Sequence, residues 1–385
     1  MGEDEKIQAI PASPAAERRQ YLPGSARLFF GLALATLIAF IAYTGRIIFI
    51  PLVVAGFLSF LIYTLKETIR SGPMIGRFLP GWLCYLFAFA LIISAFILFV
   101  EIIKNNVETL VDAAPLYEER LRKFTQDGIA QLHGWGILPE DFVGGVDEIR
   151  AAGLSMINPV LSSLSSSVRS LTANSVTIFL YTVFMMLERG RIFKKINLLS
   201  TNDPQRAAVN ETISDIGFLV RQYITVKTVT NLITATISYV ILRLVDVDFA
   251  GFWALLIFML NYIPIVGAVS AITLPVILAL IQPDGGGVHK AAMALVFLVG
   301  AEQIMSSGIE PRLVGRSVNL SPLVILLSLA VWGTLWGFAG ALLAVPITVT
   351  VMIILTQFES TRPIAILLSD NGDIAPIKHA RIDSA

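Results

Sequence analysis

Uncharged apolar runs alternate along the chain with short charged loops, and the run lengths predict the elements. A helix needs about 17–25 apolar residues to cross a hydrocarbon core of ~30 Å. Runs 28–45, 47–65, 81–100 and 170–187 fit one crossing each, with Gly45-Arg46 as the turn between the first two and Pro51 early in the second. Run 216–244 also fits, although Arg221, Lys227 and Arg243 interrupt it. Two later runs, 249–283 and 321–358, carry no charge and are too long. As straight helices they would reach about 52 Å and about 57 Å. Between them lies the apolar segment 291–304, which contains Glu302.

The two long runs carry their own breakpoints. In Asn261-Tyr-Ile-Pro264-Ile-Val-Gly267, Pro264 removes a backbone donor and Gly267 accepts unusual dihedrals. The break is either a tight turn between ordinary helices or a cavity-lining interruption, because backbone groups freed at membrane depth need protein or water to meet them. The second run has Trp332-Gly333-Thr334-Leu335-Trp336-Gly337-Phe338-Ala339-Gly340 at its middle. Those glycines suit a hairpin tip or close helix packing, and the two tryptophans suit an interface belt. Paired interrupted segments are the best sequence pointer to a transporter's binding site.

Charge orients this pattern. Lys and Arg concentrate in cytoplasmic loops. Arg18, Arg19 and Arg27 come before the first run; Lys66, Arg70 and Arg77 lie between the second and third. Arg189, Arg191, Lys194, Lys195 and Arg206 follow the fourth, Arg312 and Arg316 follow the Glu302 segment, and Arg362 follows the last. All fall on one side when both termini are cytoplasmic. Residues 104–168 then lie outside, with nine acids against five bases. Within them Ile103, Val107, Leu110, Ala114, Tyr117, Leu121 and Phe124 recur at spacings of four and three, an apolar stripe on one helix face. The stripe packs either on the protein's own loop or on a neighbouring subunit.

Composition narrows the function class. The chain is 55% hydrophobic and 15% charged, with mean hydropathy +0.76, whereas soluble domains are about a quarter charged. Net charge is zero, so no nucleic-acid partner is implied. One cysteine, Cys84, excludes an intramolecular disulfide, and His133, His289 and His379 lack metal-ligand spacing. Residues 1–27 mix acids, Arg and Pro, unlike a cleavable signal peptide.

The expected fold is therefore an all-α polytopic integral membrane protein with broken or re-entrant helical hairpins and a helical extracytoplasmic region. The expected division is a disordered cytoplasmic tail 1–27, three transmembrane helices in 28–103, the extracytoplasmic region 104–168, a transport core 169–360 holding hairpins 249–283 and 321–358, and a cytoplasmic tail 361–385.

Ionisable groups inside apolar runs are functional candidates, because a charge in a membrane costs several kcal/mol. Glu302 is the foremost; its bland reading is an interfacial acid. Snorkelling toward the cytoplasmic surface accounts for Arg221 and Lys227, and pairing of Lys227 with Glu302 is the alternative, without support from spacing. Glu310 and Arg312, flanking Pro311, are expected to satisfy each other or the loop backbone. Asp246 and Asp248 are expected to be solvated at the outer mouth.

Three motifs together carry a resemblance. Glu310-Pro311-Arg312-Leu-Val-Gly315-Arg316-Ser-Val-Asn319-Leu320-Ser321-Pro322, Gly337-Phe-Ala-Gly340-Ala-Leu-Leu-Ala344-Val-Pro346 and Asn261-Tyr-Ile-Pro264-Ile-Val-Gly267 resemble signatures of the AI-2E family of bacterial transporters. The resemblance extends over about residues 28–360. It implies a bacterial inner-membrane permease; some members export the quorum-sensing signal autoinducer-2, and others are similar to sodium–proton antiporters. It also implies a homo-oligomer. Many members have an acid and an Asn just before the signature Pro, where this chain has Met305-Ser306-Ser307-Gly308.

These readings combine into one expectation. The chain is a transporter, not an enzyme: it lacks a nucleophile paired with a base, a metal constellation and a phosphate loop. A small polar solute is expected to bind where Asn261, Pro264, Gly267, Pro311, Arg312, Gly315, Asn319, Gly340 and Pro346 converge. Glu302 or Glu310 is the expected carrier of a coupling Na+ or H+, with no other cofactor. The alternatives are a sodium–proton antiporter and, in another class, a non-transporting membrane scaffold or receptor.

Overall fold

A computed structural model describes residues 24–71, 80–134, 166, 173–192, 194–195, 198, 203–314 and 319–372. Residues 1–23 of the expected tail, residues 135–165 of the expected extracytoplasmic region, Gly315, Arg316 and residues 373–385 lie outside them. Among the described residues all regular structure is helical. The chain divides after Gly45 into two compact units. The first contains α1 (Gly24–Thr44), which begins inside the stretch expected to be a tail. Its apolar side chains, Phe30, Leu32 and Leu34 among them, are exposed.

The second unit holds α2 (Arg46–Ser71), α3 (Gly81–Gly134), α4 (173–192), α5 (Asp203–Leu244), α6 (Ala250–Leu260), α7 (Val266–Ile281), α8 (Val288–Gln303), α9 (Glu310–Val314), α10 (Pro322–Thr356) and α11 (Arg362–Leu368). Five stretches, Arg46–Arg70, Gly81–Leu110, Arg206–Leu244, Val288–Leu313 and Pro322–Thr356, are long and apolar enough to cross a membrane. Large exposed apolar side chains such as Leu86, Phe87, Phe184 and Leu232 suit lipid as their neighbour.

Both over-long runs fold back on themselves. α6 and α7 form a hairpin joined at 261–265. At 1.5 Å per residue α6 is about 16 Å long and α7 about 24 Å, each shorter than the ~30 Å hydrocarbon core. α10 reverses at Gly337, where φ is 62° and ψ −139°. That backbone conformation is open essentially to glycine alone. Its arms, 322–336 and 338–356, are held together by a hydrogen bond from Trp332 Nε1 to Thr348 Oγ1 of 3.2 Å.

The two hairpins close with one device. A Cβ on Gly267 would sit 1.8 Å from the Leu260 carbonyl oxygen, and a Cβ on Gly340 would sit 1.9 Å from that of Trp332. Each glycine thus presses its backbone onto the opposite arm. Chain order sets the hairpins in opposite senses. The first links the end of α5 to the start of α8; the second follows the end of α8. They therefore open toward opposite ends of the α5–α8 pair.

Three apolar clusters hold this arrangement. Leu219, Tyr223 and Ile224 of α5 pack with Val345, Val349 and Ile353 of the second hairpin and with Ala365 of α11. The segment after Arg362 is thus a packed helix where a tail was expected: Ala365 is fully buried and Ser321 N–H donates to the Leu368 carbonyl at 3.1 Å. Ala55 and Leu58 of α2 pack with Ile178 of α4. In the third cluster the arm of α3, through Ile103, Val107, Leu110 and Tyr117, packs with Phe252, Trp253, Leu256 and Leu278 of the first hairpin. The apolar stripe of the arm is therefore covered by this chain's own hairpin.

The base of that hairpin is tied by polar groups. Tyr117 O–H donates to Asp248 Oδ2 at 2.8 Å. Burial, then this bond, holds the Tyr117 phenol above its usual range. Gln282 is buried; its Oε1 accepts from Asp248 N–H, and its Nε2 donates to the carbonyls of Asp246 and Asp284. Lys290 Nζ donates to the Asp246 carbonyl at 2.7 Å. Asp248 is thus half-buried and bonded rather than solvated, whereas the Asp246 carboxylate is exposed.

Candidate functional site

The site begins at the tip of the first hairpin. Asn261, Tyr262 and Ile263 are buried there. Ile265 has φ 64° and ψ −63°, and Val266 N–H donates to the Pro264 carbonyl at 2.7 Å. This is a γ-turn of the rare positive-φ kind, strained for a β-branched residue. The turn lets the chain reverse within a few residues and leaves Asn261 at the end of α6.

Asn261 Nδ2 donates to Glu302 Oε2 at 2.9 Å. Its Oδ1 is buried without a hydrogen-bond partner. A buried acceptor left open is costly and marks either a functional group or an absent partner. Beside it, Tyr262 O–H and Thr228 Oγ1 are 2.6 Å apart, and Thr228 donates its own proton to the Ile224 carbonyl. The tyrosine is therefore the donor of that pair. Asn231 Nδ2 donates to the Phe258 carbonyl at 3.2 Å, taking up an acceptor in the last turn of α6.

After Glu302 the helix widens. Ile304–Ile309 is a π-helical segment that runs into α9. Such segments are rare and frequently lie at functional sites. This one holds Met305-Ser306-Ser307-Gly308. Beyond it Glu310 Oε1 lies 2.5 Å from Lys227 Nζ of α5, with side-chain exposures of 24% and 13%. Lys227 is thus paired rather than snorkelling, and Glu310 is bonded across to another helix rather than to Arg312. In a low-dielectric setting pairing is what makes both charges tolerable. Glu302 lies within electrostatic range of both. Tyr223 O–H, one turn before Lys227, is buried without a partner and in range of Glu310.

α5 carries the polar wall of this site. Lys227, Asn231, Thr234 and Ser238 follow at spacings of four, three and four, and the last three are buried. Polar side chains at helical spacing within an apolar span face protein, not lipid. That stripe is the sequence signal that marks α5 as the partner of the hairpin.

The structure gathers only part of the expected residue set. Asn261 meets Glu302, and Pro264 and Gly267 shape the same tip. Glu310 joins through Lys227. Pro311 and Arg312 are exposed on α9, and Gly315 is outside the described residues. Asn319 is half-buried just ahead of the second hairpin. Gly340 and Pro346 are buried within that hairpin, and Gly340 serves its closure.

Helical hairpins with half-buried ionisable groups near the tip of one suit a multi-pass membrane protein of the transport class. The chain matches the AI-2E family transporter profile over residues 30–360 and belongs to that family. It is 28% identical over 327 residues to the AI-2 transport protein TqsA of Escherichia coli, spanning 84% of this chain and 90% of that one. It is 28% identical over 309 residues to a putative transport protein of Haemophilus influenzae, spanning 78% and 85%. A putative transport protein of Borreliella burgdorferi is 23% identical over 335 residues, spanning 86% and 87%.

Proposed function

We propose that this transporter exports a small polar solute of the autoinducer-2 type, and that the solute binds at the tip of the first hairpin. The observation that carries the reading is the Asn261–Glu302 contact with Asn261 Oδ1 left open beside it. Tyr223 O–H and Asn261 Oδ1 supply a free donor and a free acceptor, which suit a hydroxyl-rich molecule. The likeness to a relative named for AI-2 transport supports that choice of solute.

Glu302 is the candidate coupling group for H+ or Na+, since the Glu310 carboxylate already holds Lys227. Alternating access follows when the hairpin unit moves against α2–α4. The basic loops favour an inner membrane with both termini cytoplasmic. A homo-oligomer remains part of the proposal.

Sodium–proton antiport is the second reading, favoured by two carboxylates and one ammonium group in mutual range. Everted vesicles separate the two. Uptake of labelled autoinducer-2, without a sodium-driven pH change, supports export. A sodium-driven pH change abolished by Glu302→Gln, without solute uptake, supports antiport and contradicts export.

A further inference from the structure

A second polar cluster lies at one end of α2, α4 and α5, apart from the hairpin tip. Its centre is the Tyr63 ring of α2. Arg189 of α4 stacks on that ring with Cζ 3.5 Å from its centroid. Arg221 of α5 approaches it at 5.1 Å and Lys66 of α2 at 5.4 Å. Lys66 Nζ is also 5.0 Å from the ring of Tyr85 at the start of α3. Four helices thus bring three cations around two aromatic rings. Lys66 is buried and bonds Glu67. Neither guanidinium has a carboxylate partner among the described residues, and Arg221 Nε is buried without any hydrogen-bond partner.

Three cations and one acid leave an uncompensated charge of two. Holding like charges this close is unfavourable in a low dielectric unless an anion joins them. Ring contacts offset only part of that repulsion. Arg221 Nε keeps a free N–H donor, and the fork geometry of a guanidinium matches phosphate oxygens.

The place in the fold selects the ligand. Arg221 precedes Lys227 on α5 by six residues, about 9 Å along the axis. The cluster is therefore nearer than the Lys227–Glu310 pair to the end of the bundle that basic loops mark as cytoplasmic. Leu86 beside Tyr85 and Leu187 beside Arg189 are exposed apolar side chains, placed to accept acyl chains. Basic pockets between helices on this side suit anionic headgroups.

We propose that Lys66, Arg189 and Arg221 form a phosphate-binding site, filled by the headgroup of an anionic phospholipid. The ligand bridges α2, α4 and α5 and thereby fastens the first helices to the transport core. Glu67 opposes binding and tunes its strength.

The test is native mass spectrometry of the full-length protein in detergent, titrated with phosphatidylglycerol or with phosphatidylcholine. The expected result is retention of phosphatidylglycerol in preference to phosphatidylcholine. Each of Arg189→Gln and Arg221→Gln should weaken retention roughly five-fold, the share of one basic side chain near a charged surface. Glu67→Gln should strengthen it, and Lys195→Gln, whose exposed lysine pairs with Glu188, should leave it unchanged. Melting with inorganic phosphate separates the sources. Stabilisation of wild type but not of Arg189→Gln, with no preference between the two lipids, would assign the same residues to free phosphate and overturn the lipid. Equal retention of both lipids without any phosphate effect, or wild-type retention by both arginine variants, would overturn the site.

Discussion

Lys227 of α5 and Glu310 of α9 form an ion pair across the inner wall of the transport core, and a π-helical segment precedes the acid. Removing one partner of a buried pair strands the other; full burial makes that cost about 3–5 kcal/mol, and the partial exposure here reduces it to about 1–3 kcal/mol. Lys227→Met and Glu310→Gln are each expected to lower the melting temperature in detergent. The double variant should be less destabilised than the sum of the two, a coupling that a double-mutant cycle reads directly.

Glu302 separates charge from hydrogen bonding. A glutamine there still offers an oxygen to Asn261 Nδ2, so Glu302→Gln should melt close to wild type. Glu302→Ala leaves that buried N–H group open and should cost about 1–3 kcal/mol. On the proposed coupling role, flux should fall in both variants, since neither glutamine nor alanine can take up H+ or pair with Na+.

The hairpin glycines should be intolerant of one methyl group. Gly267→Ala and Gly340→Ala each drive a Cβ onto a backbone carbonyl and should destabilise by about 1–3 kcal/mol as the arms separate. Gly300→Ala is the control. Nothing lies within 4 Å of its Cβ, and helix propensity predicts a gain of about 0.5–1 kcal/mol. Melting curves of the three variants give the comparison.

At the hairpin base, Gln282→Leu should cost about 1–3 kcal/mol, because it strands Asp248 N–H and removes the donor to the Asp284 carbonyl, while the Asp246 carbonyl keeps Lys290. Tyr117→Phe removes one partly buried bond and should cost about 1 kcal/mol. Hydrogen exchange should then rise at α6 and in the arm of α3 together, because they share one apolar cluster.

Much of the architecture is legible in the sequence because membrane thickness is a hard constraint. Runs of 35 and 38 uncharged residues must fold back, and Pro264, Gly267, Gly337 and Gly340 say where. The partner of Lys227 is not legible. A lysine near a span end reads equally well as snorkelling, and no local spacing ties it to a residue on another helix. The π-helical segment has no composition signal either, since Met305-Ser306-Ser307-Gly308 fits loop or helix. The destination of the Ile103–Phe124 stripe depends on tertiary packing, because any apolar surface of the right width would cover it. The buried stripe Asn231, Thr234 and Ser238 was open to sequence reasoning through its spacing alone, and it points to the wall that holds the site.

The central claim is that solute passes the tip of the first hairpin at Asn261 and Glu302. Its most direct test is efflux of labelled autoinducer-2 from proteoliposomes holding wild type, Asn261→Leu or Arg312→Ala. Arg312 is exposed on α9 and has no part in the Asn261–Glu302 contact. The account predicts that Asn261→Leu inserts and melts as a folded protein yet loses most of its flux, while Arg312→Ala keeps it. Wild-type flux through folded Asn261→Leu would contradict it.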